Sequence, residues 1–102
     1  MIEKLTKEMF SENVNSKFRI LLEGLDPLEA ELVEYTEITT SPRQEQFSAV
    51  FRGPLNIFLN QGLYGFEHDK IGQFVLFLVP IRKDDEGFYY EAAFNRLIKK
   101  DE

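Results

Sequence analysis

Lys17-Phe18-Arg19-Ile20-Leu21-Leu22-Glu23 sets the reading of the whole chain. Phe18, Ile20 and Leu22 recur at every second position, and Lys17, Arg19 and Glu23 fall on the other side. Successive side chains of a strand point to opposite faces, so this period of two predicts a strand with one face in a core. Upstream the period is different. Met9, Phe10 and Val14 fall at helical spacings behind Thr6, whose hydroxyl can cap free amides, so Lys7 to Glu12 reads as a short helix. Asn13 and Asn15 suit its exit, because Asn tolerates the left-handed conformation that ends helices.

Downstream the alternation continues. Gly24-Leu25-Asp26-Pro27 reads as a turn, and Leu28 to Glu37 as a second strand whose phase breaks at Leu32-Val33, the mark of a bulge. Ile38 to Gln44 reads as a loop. Gln46 to Arg52 is a third strand, with Phe47, Ala49 and Phe51 on one face and Gly53-Pro54 ending it. Leu55 to Gln61 reads as an irregular crossing with Ile57, Phe58 and Leu59 tucked in. Leu63 to His68 is a fourth strand, in which Gly65 marks a bulge or a close backbone approach. His68-Asp69-Lys70 turns into a fifth strand, Gln73 to Ile81. Lys83 to Gly87 is a hairpin loop, Phe88 to Arg96 a sixth strand, and Leu97 to Glu102 a charged, frayed tail. Six short strands with turn chemistry between them predict an all-β fold: a small antiparallel barrel or sandwich with a short N-terminal helix.

The bulk properties bound the rest. The 102 residues suit a single domain, 1–102, and ten Phe with four Tyr supply much of its core volume. The net charge of −6 and the lack of a Lys/Arg cluster argue against nucleic acid and anionic membranes as partners. There is no Cys, hence no disulfide framework, thiol nucleophile or zinc finger, which fits a cytoplasmic protein. The first residues lack a secretory apolar run, and the longest apolar stretch, Phe74 to Val79, is too short to span a bilayer.

No catalytic, cofactor or metal signature emerges. His68 is the single histidine; adjacent strand residues face opposite ways, so neighbouring Glu67 cannot orient it, and a structural or turn role is expected. Asp84-Asp85-Glu86-Gly87 lacks the ligand pattern of a calcium loop. The polar residues in apolar strands are more informative. Arg52, Gln61, Glu91 and Arg96 form a candidate polar network in which Glu91 is expected to pair with Arg52 or Arg96, since a half-buried carboxylate needs a forked partner. If such charges converge on a cavity together with Tyr64, the chain would be a small-ligand-binding β-barrel.

The fifth strand carries the interaction signal. Phe74, Leu76 and Leu78 share one face, while Val75, Phe77, Val79 and Ile81 share the other. A strand apolar on both faces is expected to be central or covered on each side, by closure of the sheet or by a partner chain. The expectation is therefore a non-enzymatic module that docks against proteins, its own copies included.

Four blocks add a resemblance: Phe47-Ser48-Ala49-Val50-Phe51-Arg52-Gly53-Pro54; Gln61-Gly62-Leu63-Tyr64 with Glu67-His68; Leu76-Phe77-Leu78-Val79-Pro80; and Tyr90-Glu91-Ala92-Ala93-Phe94-Asn95-Arg96. Together they resemble a family of small uncharacterised bacterial domains, catalogued as a domain of unknown function. The resemblance implies a bacterial source, and relatives among phage-tail-like components imply an assembly role. It supplies no activity and no catalytic residues.

Overall fold

A computed structural model describes residues 6–41 and 44–97. In chain order they form a helix α1 (Lys7–Ser11) and strands β1 (Lys17–Leu21), β2 (Leu28–Ser41), β3 (Gln44–Gly53), β4 (Gly62–His68), β5 (Gly72–Asp84) and β6 (Gly87–Leu97). All pairings are antiparallel, and the order β1-β2-β3-β6-β5-β4 returns to its start, so the sheet closes into a ring. The all-β expectation holds, with one sheet closed on itself rather than two stacked ones. No helix among the described residues is long and apolar enough to cross a membrane.

Alternation fills the ring. Phe18 and Ile20 from β1, Phe47, Ala49 and Phe51 from β3, and Phe74, Leu76 and Leu78 from β5 all point inward and are buried. Phe18 meets Phe51 edge-on with centroids 5.1 Å apart, and Phe66 stacks on Phe74 at 5.6 Å. Such offset and edge-to-face contacts match the negative face of one ring to the positive edge of another. Tyr90, fully buried, places its hydroxyl where it accepts the Leu59 N–H at 3.1 Å. That bond satisfies the phenol and anchors the crossing between β3 and β4.

The ring is tight on one side and parted on the other. β5 pairs with β4 over Gly72–Leu78 and with β6 over Val79–Asp84. Among the described residues the β5–β6 ladder ends at Val79 and Glu91, so the first half of β5 and the second half of β6 separate. Phe10 of α1 lies there, with centroids 6.0 Å from Phe74 and 5.3 Å from Phe94. The helix exists to carry this plug.

Several local expectations need amendment. Thr6 holds the N-cap position without a side-chain bond; its carbonyl accepts the Met9 N–H at 3.2 Å. Asn15 does adopt the left-handed conformation, with φ 74°. The expected bulge in β2 lies between Leu32 and Glu34. Residues 38–41, read as loop, instead continue β2, because Thr and Ile suit a pleated backbone and β3 pairs with Ile38 and with Ser41 across an irregularity between them. That hairpin stretches the molecule to 49 × 30 × 23 Å with a radius of gyration of 14.1 Å, above the roughly 13 Å of a compact chain this size. Leu59 is buried as expected, but Phe58 is half exposed, its ring leaning on Phe88 at 5.1 Å. Gly65 keeps register with its neighbours on both sides, so it marks neither a bulge nor a close backbone approach; a Cβ there would stand at ordinary contact distance from the Leu21 side chain. The charged tail beyond Leu97 falls outside the described residues.

The largest amendment concerns β5. Ring closure covers its inner face alone, since a closed sheet has one inside and one outside. Val75, Phe77 and Ile81 point out and are exposed.

Candidate functional site

Three groupings on and in the ring could carry function. The first is the outer face of β4 and β5. Cross-strand register sets Leu63 opposite Phe77 and Gly65 opposite Val75, and β1 adds Leu21 opposite Gly65. Alternation alone puts these side chains on the outside, and directly opposed residues sit within contact distance. The relative exposures are 71% for Leu63, 58% for Val75, 47% for Phe77 and 36% for Leu21. Single exposed apolar side chains are ordinary, but adjoining ones on three neighbouring strands form a patch. Of the expected interaction residues, Val75, Phe77 and Ile81 are exposed and Val79 is half-buried. Leu63 and Leu21 were not anticipated, although the alternation Leu63, Gly65, Glu67 in β4 carried the signal.

A polar cluster occupies the outer face of β2, β3 and β6. Arg52 bonds Glu31 at 3.0 Å and Glu86 at 3.1 Å, and its guanidinium also meets the Tyr89 hydroxyl. Tyr89 donates to Asp84 at 2.8 Å, and Arg82, paired with Glu34 at 2.7 Å, lies 4.2 Å over the Tyr89 ring. Arg52 thus turns to Glu31 and Glu86 instead of Glu91. Register explains this: Arg52 stands opposite Tyr89 on one side and Glu31 on the other, while Glu91 stands opposite Val50 and Val79. Gln61 is exposed in the bend before β4, and the Arg96 side chain lies outside the described residues. The structure does not bring Arg52, Gln61 and Glu91 into one bonded network. The cluster borders a shallow open hollow of about 170 Å³ that Lys17 and Glu29 also line. A larger one, about 360 Å³, is open to solvent between α1 and Ile71.

A family model with the description "Domain of unknown function (DUF6916)" matches residues 5–94. The chain belongs to that family. The DUF6916 match takes in α1, the five strands β1 to β5, and β6 as far as Phe94. Asn95 and Arg96 lie beyond it. No curated protein matches the chain, and no solved structure does.

The third grouping in this DUF6916 domain centres on His68, which is buried against Phe18 with centroids 4.3 Å apart. Its Nδ1 accepts the backbone N–H of Lys70 at 3.0 Å, and its Nε2 lies 3.0 Å from the Ser16 hydroxyl. An unprotonated Nδ1 puts the proton on Nε2, which then donates to Ser16 Oγ. Ser16 in turn donates to the Asn13 carbonyl at 2.6 Å. A hydroxyl and an imidazole in contact resemble a nucleophile and its base, but the proton runs the wrong way: a base must accept from Ser16. The geometry describes a tie between β4 and the segment leaving α1. Sequence reading missed the partner because 52 residues separate the two.

This tie predicts a pH dependence. Burial pushes the His68 imidazole below its ordinary value; Asp69 opposes the shift, while Arg19 and Lys70 add to it. A group whose folded pKa is depressed contributes stability that is complete above its unfolded value, about 6.5. That contribution is lost as pH falls through the lower folded value. Urea midpoints measured downward from neutral pH should therefore drop below about pH 6.5, and His68→Gln should flatten that segment of the curve. Glu37, held low by Lys7, Glu67 by Arg19, and Asp84 by the Glu86 N–H act at more acid pH, below about 4, so the two windows separate. A flat wild-type profile from pH 7 to 5 would refute the buried neutral imidazole.

Proposed function

We propose that this chain is a non-enzymatic protein-interaction module of a bacterial assembly, of the phage-tail-like kind, that docks through the outer face of β4 and β5 and works in the cytoplasm. The observation that carries the reading is the exposed apolar patch of Leu63, Val75, Phe77 and Leu21. Burying the exposed portions of these side chains against a partner contributes roughly 1–2 kcal/mol each. The bacterial and assembly context rests on the resemblance of the Phe-Arg-Gly-Pro and Phe-Asn-Arg blocks. The absence of Cys suits a reducing compartment.

The ligand-binding alternative draws less support. Phe10, Phe18, Phe51, Phe66 and Tyr90 fill the ring, and the two hollows described above open at the surface. Arg52 is engaged by carboxylates of its own chain.

A photo-crosslinking amino acid at position 77 tests the docking reading in the cell that makes the protein. A discrete cross-linked product is expected from position 77, and none from position 85 at the hairpin tip. Equal smears from both positions, or no product, would refute docking through this face.

A further inference from the structure

We propose that the turn joining β4 to β5 is an acid-released latch: protonation of His68 frees it at Lys70, while the bond from His68 to Ser16 persists. The inference is independent of the docking reading. His68 is buried, and both of its ring nitrogens are engaged. They respond differently to a proton. A neutral imidazole has one donor and one acceptor nitrogen, whereas an imidazolium has two donors. Nε2 donates to Ser16 Oγ in the neutral ring and goes on donating in the charged one. Nδ1 accepts the Lys70 N–H at 3.0 Å, and a proton on it would face that N–H head-on. One side must give way. The ring is held by Ser16 and by Phe18, whose centroid lies 4.3 Å from its own. The turn is held less firmly. Asp69 and Lys70 are exposed, and the Asp69 bond to Arg19 is a surface ion pair, a weak restraint. The turn therefore yields.

The surroundings set the direction of the response. Burial disfavours the charged ring most; Asp69 favours it, and Arg19 from β1 and Lys70 oppose it. Asp69 is itself engaged by Arg19 at 2.9 Å, and Glu67 on β4 turns to the same guanidinium at 3.0 Å. From α1, Glu8 and Glu12 border the hollow beside Lys70. The closed turn is therefore complete above about pH 6.5, the unfolded value, and is lost as pH falls through the lower folded value. The opening is local, because the bond that fails lies outside the ladders. Ile71 and Met9 both pack against the core and flank the hollow of about 360 Å³ between α1 and the turn. Release draws Ile71 off that packing and opens the hollow from the β5 side.

Nuclear magnetic resonance on the isotope-labelled full chain, from about pH 7.5 down to 5, tests the latch. At the neutral end the ring should carry its proton on Nε2, and the Lys70 nitrogen should couple to Nδ1 through their hydrogen bond. As the ring titrates, that coupling should vanish, and the order parameters of Asp69 to Ile71 should fall below about 0.6. The ratio of open to closed turn should rise up to about tenfold per pH unit below about 6.5, for the one proton taken up. The Asn15 N–H, bonded to the Leu32 carbonyl beside Ser16, should keep its resonance. His68→Asn keeps an acceptor for the Lys70 N–H and has nothing to titrate, so its turn should stay closed throughout. Ser16→Ala should leave the response at Lys70 in place. A proton on Nδ1 at neutral pH would overturn the inference, as would a turn that keeps its coupling and order while the ring titrates. Loss of the Lys70 response in Ser16→Ala would place the switch in the other bond. Asn15 and Lys70 signals disappearing together would mean global unfolding and no latch.

Discussion

Phe10→Ala is expected to destabilise the chain by about 3–5 kcal/mol, a large part of the roughly 5–15 kcal/mol that holds a domain together. α1 has five residues, too few to persist in water without tertiary contacts. What holds it is the Phe10 ring, fully buried among Phe18, Phe47, Phe74 and Phe94. Deleting the ring removes its own transfer energy and leaves a void where β5 and β6 part. The walls of that void belong to four strands with their own ladders, so collapse around it is restricted. Denaturant unfolding of wild type and variant reads the difference directly. Hydrogen exchange adds a second signature: the Asn15 N–H, which bonds the Leu32 carbonyl, should lose protection, because the segment leaving α1 loses its anchor. A loss under about 1 kcal/mol would mean that the helix is not the plug this geometry makes it.

The inward half of this architecture was legible because it obeys a period of two. Phe18, Ile20, Phe47, Ala49 and Phe51 follow from alternation alone, and the bulge at Leu32 follows from its interruption. What alternation does not encode is which strand lies beside which. The half-buried Glu91 calls for Arg52 or Arg96 as its partner; the β3–β6 register instead sets Arg52 against Tyr89, and the β2–β3 register brings Glu31 within reach. Ser16 and His68 are tied by the same kind of long-range fact. β5 shows a different limit. Its two apolar faces are visible in the sequence, which leaves open whether closure or a partner chain covers them. A ring has an inside and an outside, and only the structure shows that Val75 and Phe77 remain outside. The extra length of β2 reflects tertiary pairing overriding turn-like composition at residues 38–41.

Gly87→Ala is the second large effect, with an expected loss of about 3 kcal/mol or more. Gly87 follows the two-residue turn between β5 and β6 and pairs with Asp84. Asp84 Oδ1 accepts the N–H groups of Glu86 at 2.8 Å and Gly87 at 3.2 Å, which fixes the turn from within. Close by, the last residues of β3 press against β6. A Cβ on Gly87 would land on the Gly53 carbonyl oxygen and stand 2.9 Å from Arg52 Cγ. The first contact is with backbone, so no rotamer change relieves it; β3 and β6 must separate where Gly53 pairs with Phe88. The second pushes on the Arg52 stem, so the bonds from Arg52 to Glu31 and Glu86 in the outer polar cluster are disturbed as well. Gly62→Ala is the control, because the nearest atom to its added Cβ is Tyr64 Cε2 at 4.0 Å; its change should stay within about 0.5 kcal/mol. Thermal or urea unfolding of the pair separates the close approach from the general entropy effect of replacing glycine, which both substitutions share. Equal midpoints for the two variants would show that the β3–β6 spacing yields to the methyl group, and that the hairpin, not the close approach, fixes this corner of the ring.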